Sequence, residues 1–216
     1  MNKKNLYLVR HGQSIYNLEN RFTGWRDVEL TDLGKSQAKE AGDLLANVVF
    51  DCCYISKLKR AKNTLEIILN QISQKPPIES NQALNERDYG DLIGQNKEEA
   101  SKEFGDKQVQ VWRRSFDTPP PGGESLKMTA ERTLPYYKKN ILPRTLESNN
   151  VIVSAHGNSI RAIVMEIFNL TPEQILKTEI GWCEPLRIEY DSNGKLHDFE
   201  ILPRLSEPSN SHICMI

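Results

Sequence analysis

Near its N-terminus the chain reads Leu6-Tyr7-Leu8-Val9-Arg10-His11-Gly12, four apolar residues followed by an arginine, a histidine and a glycine. A second apolar run, Val151-Ile152-Val153-Ser154-Ala155, also ends in a histidine and a glycine, His156-Gly157. Short apolar runs of this kind indicate buried strands of a parallel sheet. Because ligands of open α/β sheets bind at the carboxyl ends of the strands, we expect both histidines at one edge of one sheet.

Strand and helix patterns alternate along most of the chain. Thr31 is a suitable N-cap for a helix whose Leu33 and Leu45 lie on the predicted apolar face. The next strand is predicted at Cys52–Ile55, and Ser56 is predicted to cap the helix after it. This alternation indicates an α/β fold.

We expect a single domain over residues 1–216. Residues 76–123 lie between two proline-rich segments and are interpreted as an excursion that caps the active edge of the sheet. The helix predicted over residues 124–140 contains Pro135, which should kink or interrupt it. Residues 206–216 are expected to form a loose C-terminal tail.

The composition excludes several classes of protein. The chain has 216 residues, of which 26% are charged, and a formal net charge of −1, so it lacks the basic excess of a nucleic-acid-binding protein. Only four apolar residues follow Met1–Asn5, too few for a signal peptide or a membrane span. The four cysteines show no CxxC spacing, and Cys52 and Cys53 should face opposite sides of a strand. Reduced thiols in a cytoplasmic protein are therefore expected.

Basic side chains are predicted to converge on the edge that carries the two histidines. Arg60 falls in the first turn of a predicted helix, where the helix dipole disfavours a cation. It is either a solvated surface arginine or the partner of a bound anion. Arg113 and Arg114 form a closely spaced pair that is either a solvated helix face or a clamp at the far end of a pocket. Arginine forks suit the recognition of phosphate and carboxylate groups.

These residue types favour phosphoryl transfer. A neutral imidazole can attack phosphorus, and a second, protonated histidine could stabilise the charge on the transferring oxygens. Glu86 is either the group that exchanges a proton with a substrate hydroxyl or a solvated loop acid. Two histidines and one glutamate do not supply enough ligands at obvious spacing for a metal site.

Nine segments between about residues 5 and 190 carry a resemblance to a known family. They are Leu8–Ser14, Asn17, Phe22–Trp25, Leu58–Ala61, Leu84–Gly90, Gln95–Lys97, Trp112–Ser115, Gly123–Leu126 and Ala155–Ser159. Together they resemble the histidine phosphatase superfamily and, within it, the cofactor-dependent phosphoglycerate mutases. The Arg-His-Gly start marks only the superfamily, whereas the Asn85–Gly90 and Trp112–Ser115 blocks are more specific for the mutase branch.

The resemblance implies a three-layer α/β/α sandwich around a mostly parallel sheet, and a role for each matching residue. His11 would become phosphohistidine, His156 would stabilise the transition state, and Glu86 would move the proton. The residues that would hold the transferring phosphate are Arg10, Asn17 and Arg60. Those that would bind the rest of the phosphoglycerate are Ser14, Thr23, Gly24, Arg87, Tyr89, Lys97, Arg113, Arg114, Gly157 and Asn158.

The implied reaction interconverts 3- and 2-phosphoglycerate in glycolysis and gluconeogenesis, with 2,3-bisphosphoglycerate as primer and no metal. The implied partner is a small phosphorylated substrate, with neither nucleic acid nor membrane, and the chain would be a homodimer or a monomer. The alternatives are a phosphatase of the same superfamily that acts on a small phosphorylated metabolite or a sugar bisphosphate, and a non-catalytic binding module.

The chain departs from the family pattern at two places. Pro121 is followed directly by Gly122, where longer mutases carry an extra segment, so this is a short form. Residues 181–185 read Gly-Trp-Cys-Glu-Pro where the family usually has Pro-Thr-Gly-x-Pro. The first departure leaves the oligomeric state open, and the second leaves substrate specificity less defined than the reaction class.

Overall fold

A computed structural model describes residues 3–191, 193–206, 209 and 211–215. In these residues six strands form one sheet: β1 (Lys4–Arg10), β2 (Cys52–Ile55), β3 (Ile78–Ser80), β4 (Asn150–Ala155), β5 (Leu186–Tyr190) and β6 (Leu196–Ile201). Their order across the sheet is β3-β2-β4-β1-β5-β6. The first four run parallel, β5 runs antiparallel to β1, and β6 runs antiparallel to β5.

The described residues also form nine α-helices, some of which cover the two faces of this sheet. They are α1 (Ile15–Leu18), α2 (Asp32–Leu44), α3 (Lys59–Gln71), α4 (Lys97–Phe104), α5 (Asp106–Arg114), α6 (Leu126–Tyr136), α7 (Leu142–Glu147), α8 (Gly157–Phe168) and α9 (Pro172–Lys177). Shorter helical turns lie at Gln82–Leu84 and Gly90–Leu92, and a π-helical turn spans Tyr137–Ile141.

Alternate residues of the strands pack into two separate hydrophobic cores, one on each face of the sheet. Leu8 and Cys52 pack with α6 and α8 on one face, whereas Val9 and Cys53 pack with α2 and α3 on the other. Side chains of a strand alternate between the two faces of its sheet, so adjacent cysteines must separate in this way. The predicted α/β/α sandwich with a mostly parallel central sheet is confirmed.

The two strands that end in histidine are direct neighbours. β1 and β4 pair in parallel, with Arg10 opposite Ala155, and the amide of His11 donates to the carbonyl of Ala155 at 3.0 Å. Since parallel neighbours end at the same edge, both histidines leave the sheet side by side. The prediction that they share one edge is confirmed.

Helix α2 differs in detail from the predicted apolar face. Its N-cap is Thr31, as predicted, but Leu33 is 43% exposed, so the predicted inward position of Leu33 is wrong. Gly34 packs in its place, because a Cβ atom there would lie 2.1 Å from the carbonyl oxygen of Gln13. The helix thus approaches the backbone that follows His11 more closely than a leucine face would allow.

Ser56 does not cap helix α3, which corrects a second prediction. The helix begins at Lys59, and its N-cap, Leu58, offers no side-chain hydrogen bond. The hydroxyl of Ser56 instead accepts from the amide of Leu58 and hydrogen-bonds the ring of His156. Ser56, although its side chain is suited to capping a helix, therefore contacts His156 at the edge of the sheet instead.

The segments around Pro135 and the C-terminus show one confirmed and one incorrect expectation. Helix α6 ends at Tyr136, immediately after Pro135, and a π-helical turn joins it to α7, so the predicted interruption is confirmed. The described part of the tail is not loose, because His212 exchanges two backbone hydrogen bonds with Glu179, each 3.0 Å long. Residues 207, 208, 210 and 216, which belong to the same prediction, lie outside the described residues.

Candidate active site

His11 is held in a single tautomer at the end of β1. Its Nδ1 atom lies 2.7 Å from the carbonyl oxygen of Gly12, and a carbonyl can only accept, so Nδ1 carries the proton. Nε2 then presents a lone pair, to which the Nε–H group of Arg60 donates at 3.3 Å. Burial, followed by the charges of Arg60 and Arg10, holds the pKa of His11 well below its ordinary value. His11 is therefore neutral at neutral pH and able to act as a nucleophile.

His156 begins helix α8 beside His11, with 5.0 Å between the ring centroids. Its Nε2 atom lies 2.7 Å from the hydroxyl of Ser56, while its buried Nδ1 atom has no protein partner. Burial and then the charge of Arg60 hold the pKa of His156 well below its ordinary value. Burial and neighbouring cations disfavour a further positive charge on His156. The predicted protonated second histidine concerns the moment of phosphoryl transfer and stays a prediction.

Two buried arginines flank the histidine pair. Arg60 is only 1% exposed, and its guanidinium donates to the carbonyls of Gly24 at 2.9 Å and Arg26 at 3.0 Å. Burial lowers the pKa of Arg60 to about 10, so the group stays charged at neutral pH. Arg10 donates to the carbonyl of Ile180 at 2.7 Å, yet its buried Nε atom has no protein partner. The solvated interpretation of Arg60 is wrong, and both cations are placed to meet an anion.

Glu86 lies beside the same edge and is 9% exposed, so the interpretation of Glu86 as a solvated loop acid is also wrong. Its Oε1 atom accepts from the backbone amides of Arg87 at 2.8 Å and Asn158 at 3.1 Å. Because both bonds end on Oε1, the other oxygen stays available to a ligand. The N-terminus of helix α8 thus fixes the carboxylate next to His156.

A partly buried ion pair fixes the backbone that carries Glu86. Arg132 binds Glu124 through two bonds of 2.8 Å each, Nε to Oε1 and Nη2 to Oε2. The same guanidinium donates to the carbonyl of Glu86 at 2.8 Å and to that of Asn85 at 3.1 Å. Trp25 adds an indole N–H bond of 2.6 Å to the Glu86 carbonyl. The sequence offered no signal for Arg132, which lies in a helix interior far from any motif.

These groups line a cavity of about 170 Å³. Its described lining consists of Arg10, His11, Asn17, Arg21, Phe22, Thr23, Arg60, Glu86, Arg87, Tyr89, Lys97, Arg113, Arg114, Gly157, Asn158, Arg161 and Glu179. Eight of these side chains are cationic and two are carboxylates. A strongly positive cavity of this size is suited to a small anion that carries more than one negative charge.

Three predicted site residues, Ser14, Gly24 and the buried His156, are not part of the described lining of this cavity. Ser14 is fully buried and donates its amide and its hydroxyl to the side-chain oxygen of Asn17, at 3.0 Å and 2.9 Å. Gly24 contributes its carbonyl to Arg60. Ser14 leaves the NH₂ group of Asn17 as a donor, and Gly24 orients Arg60, so both residues act on the cavity through a neighbour.

The cavity has two unlike sides. We call Arg10, His11, Arg60 and Glu86, together with the buried His156 beside His11, the histidine wall. The lining residues Lys97, Arg113, Arg114, Arg161 and Glu179 form what we call the distal wall. Arg161 and Glu179 were not predicted. Arg161 lies three residues after Asn158 on the same helix, so helical spacing could have indicated it, whereas no motif contains Glu179.

The distal wall is built from the end of one helix and the start of another. Arg113 and Arg114 occupy the last turn of α5, which Trp112 anchors through an edge-on contact with Phe104. Lys97 is the first residue of α4, and burial, followed by the charge of Arg113, lowers its pKa to about 8. The last turn of α5 is therefore a wall of the cavity and not merely a solvated helix face.

Within the described ranges, no group of three or more His, Cys, Asp or Glu side chains is arranged to hold a metal ion. None of the helices described is both long enough and apolar enough to cross a bilayer. The groups that the cavity does contain are a neutral imidazole whose Nε2 lone pair accepts from Arg60, fixed cations around it and one carboxylate with a free oxygen. This set can transfer a phosphoryl group through a phosphorylated histidine.

Comparison with known proteins gives one family and many relatives. The model of the histidine phosphatase superfamily, branch 1, matches residues 6–199. A 2,3-bisphosphoglycerate-dependent phosphoglycerate mutase of Parvibaculum lavamentivorans is 51% identical over 200 residues, which cover 91% of this chain and 95% of that protein. An enzyme with the same name from Nitrobacter winogradskyi is 54% identical over 189 residues, covering 86% and 91%.

Solved structures show the same fold. The alpha-ribazole phosphatase of Shigella flexneri superimposes with a TM-score of 0.82 over 95% of this chain and 100% of that chain, at 20% sequence identity. At such an identity the likeness concerns the fold alone.

Proposed function

The chain belongs to the histidine phosphatase superfamily, and from this premise we propose that it interconverts 3-phosphoglycerate and 2-phosphoglycerate with 2,3-bisphosphoglycerate as primer. The observation that carries the proposal is the distal wall. A phosphatase needs one phosphate bound next to its histidines, whereas a mutase must retain a second anionic group while the phosphate changes position. Arg113 and Arg114 supply cations for that second group.

His11 is the proposed acceptor of the phosphoryl group. Its Nε2 lone pair is the available nucleophile, because Nδ1–H is bonded to Gly12. Arg10 and Arg60 would bind the oxygens of the transferring group and disperse the charge that builds on them. Asn17 would add its NH₂ group as a further donor.

Glu86 and His156 would complete the reaction. The free oxygen of Glu86 would take a proton from the attacking substrate hydroxyl and return it to the departing one. His156 would donate from Nδ1 to a phosphoryl oxygen, with the hydroxyl of Ser56 holding Nε2. In that arrangement a neutral His156 can donate a hydrogen bond from Nδ1. The proposed step therefore does not require His156 to be protonated before substrate binds.

The residues present fit a bisphosphate primer, which supplies the phosphoryl group for His11. The buried Nε of Arg10, Nε of Arg87 and Nδ1 of His156 have no protein partners, and buried donors of this kind are normally bonded. Arg87, Tyr89 and Lys97 would bind the end of the molecule that is remote from His11.

We propose small phosphorylated acids as the molecules that this enzyme binds, and the cytoplasm as its compartment. Cys52, Cys53 and Cys183 are buried free thiols, which suits a reducing compartment. The enzyme would act as a homodimer or as a monomer.

A turnover assay with 3-phosphoglycerate, with and without 2,3-bisphosphoglycerate, tests the proposal. We expect 2-phosphoglycerate to form, at a rate that the primer strongly increases, with little release of inorganic phosphate. Steady release of phosphate without isomerisation would instead identify a phosphatase of the superfamily, which is the second candidate function.

A further inference from the structure

We propose that Glu179 is a specificity-determining residue that occupies the carboxylate site of the cavity until substrate arrives. Its side chain would compete with the substrate carboxylate for Arg114. The proposal rests on the function proposed above, and it assigns to this chain a built-in competitor for one particular group of the substrate.

The contacts of Glu179 are those expected of a bound carboxylate. Its Oε1 atom accepts from Nη1 of Arg114 at 2.8 Å, and its Oε2 atom accepts from Nη2 of Arg161 at 2.7 Å. Each carboxylate oxygen is thus bound to a different arginine inside the anion cavity. A ligand carboxylate that used Arg114 would have to replace Glu179.

The side chains of Arg161 and Arg114 differ in how firmly they are held. Arg161 is mostly buried, and its Nε atom also donates to the carbonyl of Thr178 at 2.8 Å, so it is fixed in place. Arg114 lies at the end of α5, and its side chain is half exposed. Exposed ion pairs contribute little net free energy, so the bond between Arg114 and Glu179 can be exchanged at low cost. Arg114 is therefore the partner that substrate would take.

The backbone of Glu179 is fixed while its side chain has room to withdraw. Its amide and carbonyl both bond to His212, which ties the residue to the C-terminal segment. Glu179 and Arg114 also line a second cavity of about 600 Å³ on the side of Gly181 and Trp182. A displaced carboxylate could rotate into that space and keep its bond to Arg161.

The excess of positive charge inside the cavity explains how a competing carboxylate such as Glu179 could be useful. Eight described cations face only two carboxylates there, and a cavity so positive would hold a bisphosphate too tightly for rapid exchange. Glu179 would weaken the binding of carboxylate-bearing ligands selectively, because the two arginines that it contacts, Arg114 and Arg161, belong to the distal wall.

The experiment compares two ligands by calorimetric titration of dephosphorylated protein. 3-Phosphoglycerate carries a carboxylate and a phosphate, whereas glycerol 3-phosphate carries the phosphate alone. We expect Glu179→Gln to bind 3-phosphoglycerate about fivefold more tightly and glycerol 3-phosphate within about twofold of wild type. Weaker or unchanged binding of 3-phosphoglycerate would overturn the proposal and leave Glu179 as a support for its arginines.

Two further variants distinguish a direct contact between Glu179 and its arginines from a general electrostatic effect of its charge. Glu166→Gln is the matched control, because Glu166 is also 37% exposed and ion-paired, to Lys138, but lies outside the cavity. It should change neither affinity. Glu179→Asp keeps the charge but is too short to bridge both arginines, so it should behave like Glu179→Gln. If Glu179→Asp binds 3-phosphoglycerate as wild type does, the change in affinity comes from the electrostatic field of the charge, and the proposed competition is wrong.

The titration also distinguishes failure of this proposal from failure of the proposed function. It requires binding only, without isomerisation. If wild-type protein fails to interconvert the phosphoglycerates in the primed assay, the proposed function fails, while the ligand comparison still reports whether Glu179 competes for Arg114.

Discussion

The two walls of the cavity are made in different ways. Four members of the histidine wall, His11, Arg60, Glu86 and His156, are buried, and the two histidines lie at the ends of adjacent central strands. The distal wall comes from helix ends and the segment before β5, and Arg114 within it is half exposed. Rigid placement suits groups that touch reacting atoms, whereas exchangeable contacts suit groups that must bind and release different ends of a substrate.

This difference predicts two kinds of mutational effect. Changes in the histidine wall should reduce kcat, because they remove interactions with the transferring group. Changes in the distal wall should alter ligand retention and the ratio of products, because they act on the remote end of the substrate.

The largest effect is expected for Glu86→Gln, which keeps the shape of the side chain and removes its ability to accept a proton. We predict a loss of about 10²–10⁴ in kcat with nearly unchanged affinity for inorganic phosphate. Steady-state kinetics and phosphate inhibition measure the two quantities, and Glu166→Gln serves as the control. Wild-type turnover in the variant would contradict the role given to Glu86.

The double variant Arg113→Gln/Arg114→Gln tests the distal wall. Its retention of 2,3-bisphosphoglycerate should weaken by about 3 kcal/mol, since each charge-assisted hydrogen bond contributes about 1.5–3 kcal/mol. Phosphorylation at His11 should persist, and the ratio of phosphate release to isomerisation should rise. Lys138→Gln/Lys139→Gln removes the same charge from the π-helical turn. An unchanged ratio in the arginine variant would argue against the distal wall as the feature that makes the protein a mutase.

Arg132→Gln tests whether the histidine wall depends on its support. The variant loses the bonds to Glu124 and to the carbonyl of Glu86, and we expect kcat to fall by about tenfold as Glu86 loses its fixed position. Stability should fall by at most about 3 kcal/mol. Arg187→Gln is the control, because Arg187 is similarly buried and ion-paired but lies in β5, away from the cavity. Equal losses of kcat in both variants would indicate a general loss of structure.

The smallest effect concerns pH. The pKa of Lys97 is lowered to about 8 by burial and then by Arg113, so rising pH removes a cation from the distal wall near that value. We expect KM for 3-phosphoglycerate to increase by up to about tenfold between pH 7 and 9. Lys97→Arg keeps its charge over this range and should flatten the dependence. A steep rise that persists in Lys97→Arg would assign the titration to another group.

Much of the histidine wall could be predicted from the sequence, because local patterns determine it. Apolar runs that end in His-Gly placed His11 and His156 at neighbouring strand ends, and helical spacing placed Arg60 at a helix start. The protonation of His156 could not be predicted in the same way. It depends on burial and on the charge of Arg60, which only the assembled site brings near.

Lys97, Arg113 and Arg114 of the distal wall were indicated by the sequence. Glu179 in that wall and Arg132, which supports Glu86, were harder to predict, because contacts distant in sequence create their roles. Arg132 reaches the carbonyl of Asn85 across 47 residues, and Glu179 meets Arg114 across 65. Neither residue belongs to a repeated spacing or a motif. Side chains of this kind become visible only when the fold has placed their partners.

The central claim is that His11 carries the phosphoryl group, and mass spectrometry of the protein after incubation with 2,3-bisphosphoglycerate tests it most directly. We predict one adduct on the peptide that contains His11, labile in acid and stable in base as phosphohistidine is, and absent from His11→Asn. An adduct on another residue, or none while the ligand demonstrably binds, would contradict the account.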